Sequence, residues 1–192
     1  RNLQAQINPH FLFNTMSMIT QSAYISGDAL TSELMEKLSA FLRYALDKAN
    51  KTSSLYEELE SIRNYLFIQN KRFGSRVSFC VDVPPDIPNI RMPAIILQPL
   101  VENAIIHGVG SMTGDAMIRI KIRARAEMLI IHIEDNGSGM PPEQLEQVQL
   151  QMYAGLEQKQ DGEGHMCIGL ANVCKRLQAY YGPRLHFSIE SE

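Results

Sequence analysis

IILQPLVENAIIHG, residues 95–108, decides how this chain folds. Ile95, Ile96, Leu97, Leu100, Val101, Ala104, Ile105 and Ile106 supply apolar surface around most of a helix, so the segment packs on a sheet. Glu102, Asn103 and His107 then require a reason to be there. Asn103 and His107 stand four apart and share one helical face, where an amide oxygen and an imidazole could meet a metal ion and phosphates. The plainer reading is a polar cluster at a helix end that Gly108 stops.

Two further stretches weigh against the plainer reading. Met128 to Asp135, MLIIHIED, reads as a buried β run that ends in Asp135-Asn136-Gly137-Ser138-Gly139-Met140. A carboxylate at a strand end accepts hydrogen bonds from an exocyclic amine, and two glycines let backbone approach a ligand closely. Ile168-Gly169-Leu170-Ala171-Asn172-Val173 then sets a glycine immediately before an apolar helix that ends near Tyr181-Gly182, and a helix N-terminus offers N–H groups and positive dipole to phosphate. Each motif alone is weak; their order is specific. A helix with Glu-Asn, a strand into DNGSG, an intervening segment and then IGLANV resembles the ATP-binding domain shared by gyrase, Hsp90, MutL and histidine kinases (the GHKL or Bergerat fold).

The rest of the chain sets bounds. Its 192 residues, 45% hydrophobic with net charge −3, describe a soluble globular protein of one large or two small domains without the basic bias of a nucleic-acid binder. Cys80, Cys167 and Cys174 form no C-x-x-C pair, and their odd number argues for a reduced compartment with all three as core filler. No apolar run reaches the length of a membrane span, no signal peptide opens the chain, and Arg1 already lies in helical pattern, as at the cut end of something longer.

Arg1 to about Ala23 reads as a bundle helix, apolar on two sides: Leu3, Ile7, Phe11 and Met18 on one, Leu12, Met16 and Ile19 on the other. A polar stripe of Gln6, His10, Asn14 and Ser17 runs beside the first. His10 lies about 20° around the helix from Leu3, bordering the seam while still reaching solvent. Pro9, read as mid-helix, crowds the carbonyl of Ala5 at a cost of ~3 kcal/mol and implies a kink. Read bare, His10 is a seam histidine satisfied by its neighbours. Gln4 to Asn14, QAQINPHFLFN, however, resembles the phospho-acceptor box of LytS-type sensor histidine kinases. The resemblance extends over nearly the whole chain.

Ser26-Gly27-Asp28 is a turn, and Ala29 to about Asn50 is a second helix with Leu30, Leu34, Leu38, Phe41, Leu42 and Ala45 inward. Two such helices bury little alone, so a second copy completes a four-helix bundle and the chain is expected to be a homodimer. Lys51 to Ser54 reads as a linker and hinge; Ser54-x-x-Glu57 is a capping box that starts a third helix running to about Phe73-Gly74. Glu57, Glu58, Glu60, Arg63 and Lys71 read as its solvated face. Val77 to Val83 alternates as a strand, Pro84 to Pro88 is a rigid turn, and Pro93 opens the central helix. Met117 to Arg125 should be a strand covered on one face, with Arg119, Lys121, Arg123 and Arg125 on the other. Pro141 to Leu150 is helix, Met152 to Met166 a lid, and Leu185 to Ile189 a last strand of the sheet.

The expected fold is therefore α+β: a dimerising antiparallel helical hairpin over residues 1–52, cut at its N-terminus, followed by a two-layer α/β sandwich with a mixed sheet over 53–192. The resemblance implies a kinase that autophosphorylates His10 from ATP and passes the phosphate to an aspartate of a response-regulator receiver domain in two-component signalling. It implies that Asn103 coordinates Mg²⁺, that Asp135 receives the adenine amine, that Gly137, Gly139 and Gly169 shape the pocket with His107 and Leu170 lining it, and that Glu102 sits beside the metal. It also implies an upstream membrane sensor, making this the cytoplasmic portion of a bacterial inner-membrane protein. Where gyrase-like ATPases place a water-activating glutamate, four residues before the asparagine, this chain has Pro99. Two features depart from the family: Ile106 replaces a basic residue, and His165 and Cys167 thin the glycine motif before Ile168. Those departures leave open a second reading, a nucleotide-binding regulatory module that does not phosphorylate itself; a gyrase- or Hsp90-like ATPase is a third, which Pro99 and the Pro9-His10-Phe11 segment disfavour.

Overall fold

The computed structural model describes residues 8–110, 112, 114–157 and 168–191. The first helix, α1 (Pro9–Ile25), starts later than its pattern suggests, because Asn8 caps it: the Asn8 side chain accepts the His10 N–H at 3.0 Å. Pro9 is therefore at the first helical position, where its missing N–H costs nothing, and not in a helix interior as expected. Gln4, Gln6 and the rest of the segment before Asn8 lie outside the described residues.

A turn through Gly27 (φ 75°) leads to α2 (Ala29–Lys48), capped by Asp28, which accepts the Thr31 N–H at 3.0 Å. The hairpin packs antiparallel with little of its own core: Met16 and Ala23 of α1 are buried, while Phe11, Met18, Tyr24, Ile25, Leu46 and also Leu30, expected inward, are exposed.

Thr52–Ser54, expected as a free linker, forms a short strand, β1, paired antiparallel with Arg91–Pro93 (β3). Lys51 O and Leu55 N extend the pairing to Ala94 N and Ile90 O at 3.0 and 2.9 Å. A segment bonded along its length cannot serve as a hinge. Helix α3 (Leu55–Phe73) then begins at the expected capping box, with Ser54 and Glu57 each accepting the other's backbone N–H, at 3.2 and 2.8 Å.

The main sheet has the order β2-β4-β5. Strand β2 (Val77–Asp82) runs parallel to β4 (Ala116–Arg125), and β4 antiparallel to β5 (Met128–Asp135), so the sheet is mixed. Period-two alternation sends Ala116, Ile118, Ile120 and Ile122 of β4 into the core and leaves Arg119, Lys121 and Arg123 on the open face, where Arg123 pairs with Asp82 at 2.5 Å. Strand β5 is half-buried at best, which corrects its reading as a fully buried run. One core joins Leu55, Leu59, Ile62 and Leu66 of α3 with Leu97 and Val101 of the central helix α4 (Leu97–Asn103), the isoleucines of β4, and Val173 and Leu177 of α6 (Ile168–Tyr181).

Three more expectations change. Pro93 ends β3 and does not open α4, which begins four residues later. The chain from Leu185 to Ile189 is not a sheet strand; Gln149 donates to the Ile189 carbonyl at 3.0 Å, and Phe187 and Ile189 pack with Val148 and Met152 of α5 (Pro142–Glu157). Cys174 is buried as expected, but Cys80 is exposed on β2. Helix α5 occupies the first part of the expected lid; the remainder, with His165, Met166 and Cys167, lies outside the described residues. Among those described, no helix is long and apolar enough to cross a membrane.

Candidate functional site

The central helix changes pitch where its chemistry begins. After Asn103 the chain passes into a π-helical turn, Ala104–Val109, whose wider winding separates residues that an α-helix would stack. Asn103 is half-buried and its amide nitrogen is fully enclosed without a hydrogen-bond partner among the described residues. It looks toward Gly169: a Cβ on that glycine would stand 3.7 Å from Asn103 Nδ2 and 4.0 Å from Pro99 Cβ. Asn103, Pro99 and the start of α6 thus share one small space. His107, expected beside Asn103, is exposed and makes no hydrogen bond among the described residues.

Glu102 faces elsewhere. Its carboxylate accepts from Gln98 Nε2 at 2.8 Å, and it lies near Tyr65 of α3, whose hydroxyl is pushed up to about 12 by burial first and by the Glu102 charge second. Among the described residues no three His, Cys, Asp or Glu side chains converge on a common point. A divalent ion here would therefore depend on the Asn103 amide and on oxygens of the nucleotide, which fits an ion carried by phosphates.

The second half of the site is built by exclusion of side chains. Asp135, at the end of β5, is exposed and accepts the Gly137 N–H at 3.0 Å, which leaves its second oxygen for another donor. Its carboxylate presses on Gly108: a Cβ at Gly108 would lie 2.3 Å from Asp135 Oδ1, and one at Gly137 would lie 2.0 Å from the Gly108 carbonyl oxygen. At Gly137 the obstacle is backbone, so only glycine serves there; at Gly108 it is the Asp135 carboxylate, which any side chain would push aside. Gly139, at φ 67°, turns the chain after the strand. Gly108 was read from sequence as a helix stop; its role in seating Asp135 is visible only once β5 is placed beside the π turn. The Leu170 side chain packs with Val148 and Met152, so what it offers a ligand is its backbone at the first turn of α6.

His10 stands apart from this cleft, on α1. It is exposed, and its Nδ1 lies 3.2 Å from Asn14 Nδ2 one turn on, so the polar stripe read from sequence is a real contact that restrains the imidazole.

A mixed sheet backed by helices, a carboxylate at a strand end seated against glycine, and an asparagine facing a helix N-terminus together define an ATP-binding domain of the GHKL class. Residues 90–192 match the family described as histidine kinase-, DNA gyrase B-, and HSP90-like ATPase, and residues 1–77 match the family described as histidine kinase. The chain belongs to the sensor histidine kinase family. It is 33% identical over 97% of its length to sensor histidine kinase YpdA of Escherichia coli, covering 31% of that protein. It is 33% identical over 99% of its length to sensor histidine kinase YesM of Bacillus subtilis, covering 30%, and 32% identical over its whole length to sensor protein LytS of Enterococcus faecalis, covering 31%. The chain thus spans about a third of the length of these curated relatives.

Proposed function

We propose that this chain is the catalytic core of a sensor kinase that transfers the γ-phosphoryl group of Mg-ATP to His10 and then to an aspartate of a response-regulator receiver domain. The observation that carries this reading is Pro99. It lines the space around Asn103 and Gly169, at the helical position from which a carboxylate would activate water, and proline has no group to take a proton. The nucleophile must come from elsewhere, and His10 is an exposed imidazole in the same chain. An unprotonated ring nitrogen of His10 forms a bond to the γ-phosphorus while the bond to the bridging oxygen breaks, and ADP leaves with that electron pair.

In this reading Asp135 accepts the adenine amine, with Gly108, Gly137 and Gly139 giving the base room. The α6 N-terminus at Gly169 and Leu170 faces phosphate. Asn103 would hold Mg²⁺ through its amide oxygen, and the ion would neutralise phosphate charge; the enclosed Nδ2 beside the Gly169 opening, without a partner among the described residues, is a donor suited to a phosphate oxygen. Glu102 and His107 have weaker claims, since the first is turned toward Tyr65 and the second toward solvent. We assign residues 1–52 to dimerisation and phosphotransfer and 53–192 to ATP binding, with two hairpins pairing into a four-helix bundle. The whole protein is read as a bacterial membrane-attached sensor, of which this is a cytoplasmic part.

Incubation with γ-labelled ATP and Mg²⁺ tests the reading. The expected label is acid-labile and base-stable, and His10→Gln loses it while keeping nucleotide affinity. A second reading, a nucleotide-binding regulatory module, draws on Ile106: it is 65% exposed at the position where the family carries a phosphate-binding base. Tight ATP binding with no label in wild type, and label gained by Ile106→Lys, would favour it.

A further inference from the structure

Glu58, read from sequence as part of a solvated face, is 2% exposed and stands where four elements meet. Its Oε1 accepts the Ile95 N–H at 2.5 Å and the hydroxyl of Tyr44; its Oε2 accepts the Ile96 and Leu97 N–H groups at 2.9 and 3.0 Å. A buried carboxylate is tolerable only with such a full set of donors. The three N–H groups belong to the start of α4, which has no capping side chain of its own. Arg176 of α6 grips the same turn through its carbonyls, donating to Ala94 O at 2.5 Å and to Ile95 O at 3.4 Å. Between the two clamps Ile95 sits at φ 58°, a left-handed conformation that a β-branched residue adopts only when its surroundings force it.

Each clamp leads to a different part of the site. Helix α4 carries Asn103; α6, which holds Arg176, has Gly169 in its first turn, beside that asparagine. Tyr44 belongs to α2, at the end of the hairpin that carries His10: the neighbouring Arg43 guanidinium lies 4.3 Å from the ring of Phe13, three residues beyond His10. A carboxylate needed only to cap α4 would be satisfied by three N–H groups. The fourth donor comes from the hairpin, and burial together with the Glu58 contact keeps its hydroxyl protonated far above the usual phenol range.

We propose that Tyr44 and Glu58 are a positioning pair for phosphoryl transfer: their hydrogen bond seats the His10 end of the hairpin on the start of α4, and the strained Ile95 turn transmits nucleotide-dependent movement of α6 to that contact. The kinetic part rests on His10 being the acceptor; the mechanical part does not. Tyr44→Phe removes one hydroxyl and keeps the ring, so the fold survives. In that variant the rate of His10 labelling at saturating Mg-ATP falls about tenfold, while the KM for ATP stays within about twofold. Glu58→Gln in the Tyr44→Phe background adds far less to that rate loss than it costs alone. Hydrogen exchange gives an independent readout: a non-hydrolysable ATP analogue changes protection in α1 and α2 of the wild type, and Tyr44→Phe abolishes that response. An unchanged labelling rate, a loss confined to KM, additive effects, or a hairpin that never responds to nucleotide would each overturn the proposal. If the wild type takes no label at His10, the acceptor reading fails, and the exchange experiment still decides the coupling.

Discussion

Gly108 and Asp135 are in contact so close that no side chain fits between them: a Cβ at residue 108 would reach to 2.3 Å from the Asp135 carboxylate. The π turn and the end of β5 thereby lie close against each other, and the Asp135 side chain takes the space that a Cβ at residue 108 would fill. Gly108→Ala should displace that carboxylate, with overpacking of about 1–3 kcal/mol, and weaken ATP at least about tenfold by calorimetry. ATP affinity equal to wild type in a folded variant would detach Gly108 from the site.

Asp135→Asn keeps the shape and exchanges one acceptor oxygen for a donor. If Asp135 accepts the adenine amine, ATP and ADP weaken equally, by about 1–3 kcal/mol, because the contact is to the base and not to the phosphates. A loss for ATP alone would move Asp135 away from adenine.

Phe11 and Met18 lie two turns apart on α1 and are 69% and 71% exposed, too much apolar surface for a hairpin left single. Met18→Glu places a charge in the seam of the proposed bundle and should shift the protein from dimer to monomer in light scattering, with nucleotide affinity retained. A wild type that is monomeric at all concentrations would remove the bundle from the account.

Glu57 carries the acid sensitivity of the α3 start. Lys48 at 2.7 Å, foremost, and the capping contacts of Ser54 hold its carboxyl at about 2, below its ordinary 4.5. A depressed pKa contributes stability that is present above the unfolded value and lost as pH falls through the folded one. The melting-temperature gap between wild type and Glu57→Gln should therefore be full near neutrality and close between about pH 4.5 and 2. The gap should be small and shrink with salt, since Glu57 is 40% exposed. A gap that is constant with pH would assign the effect to packing.

These results also show which features a sequence displays. The capping box at Ser54 and Glu57, the alternation of β4, the extent of α3 and the start of α6 rest on neighbours within a turn or on one period, and all were legible. Glu58 was not, because its partners are the N–H groups of Ile95, Ile96 and Leu97, 37 to 39 residues on. For the same reason Thr52–Ser54 looked like a linker until β3 paired with it, and Gly108 like a helix stop until Asp135 was set against it. The order of the site motifs was readable; the direction each side chain takes, as with Glu102 turned to Tyr65, was decided by packing between distant segments.

The central claim is that His10 receives phosphate. Brief incubation of the protein with Mg-ATP, digestion at neutral to alkaline pH and tandem mass spectrometry of the fragments tests it most directly. The account predicts one phosphorylated site, on the imidazole of His10, absent from Asn103→Ala protein that still folds. Phosphate on any other residue, or ATP turned over to free phosphate with His10 unmodified throughout, would contradict it.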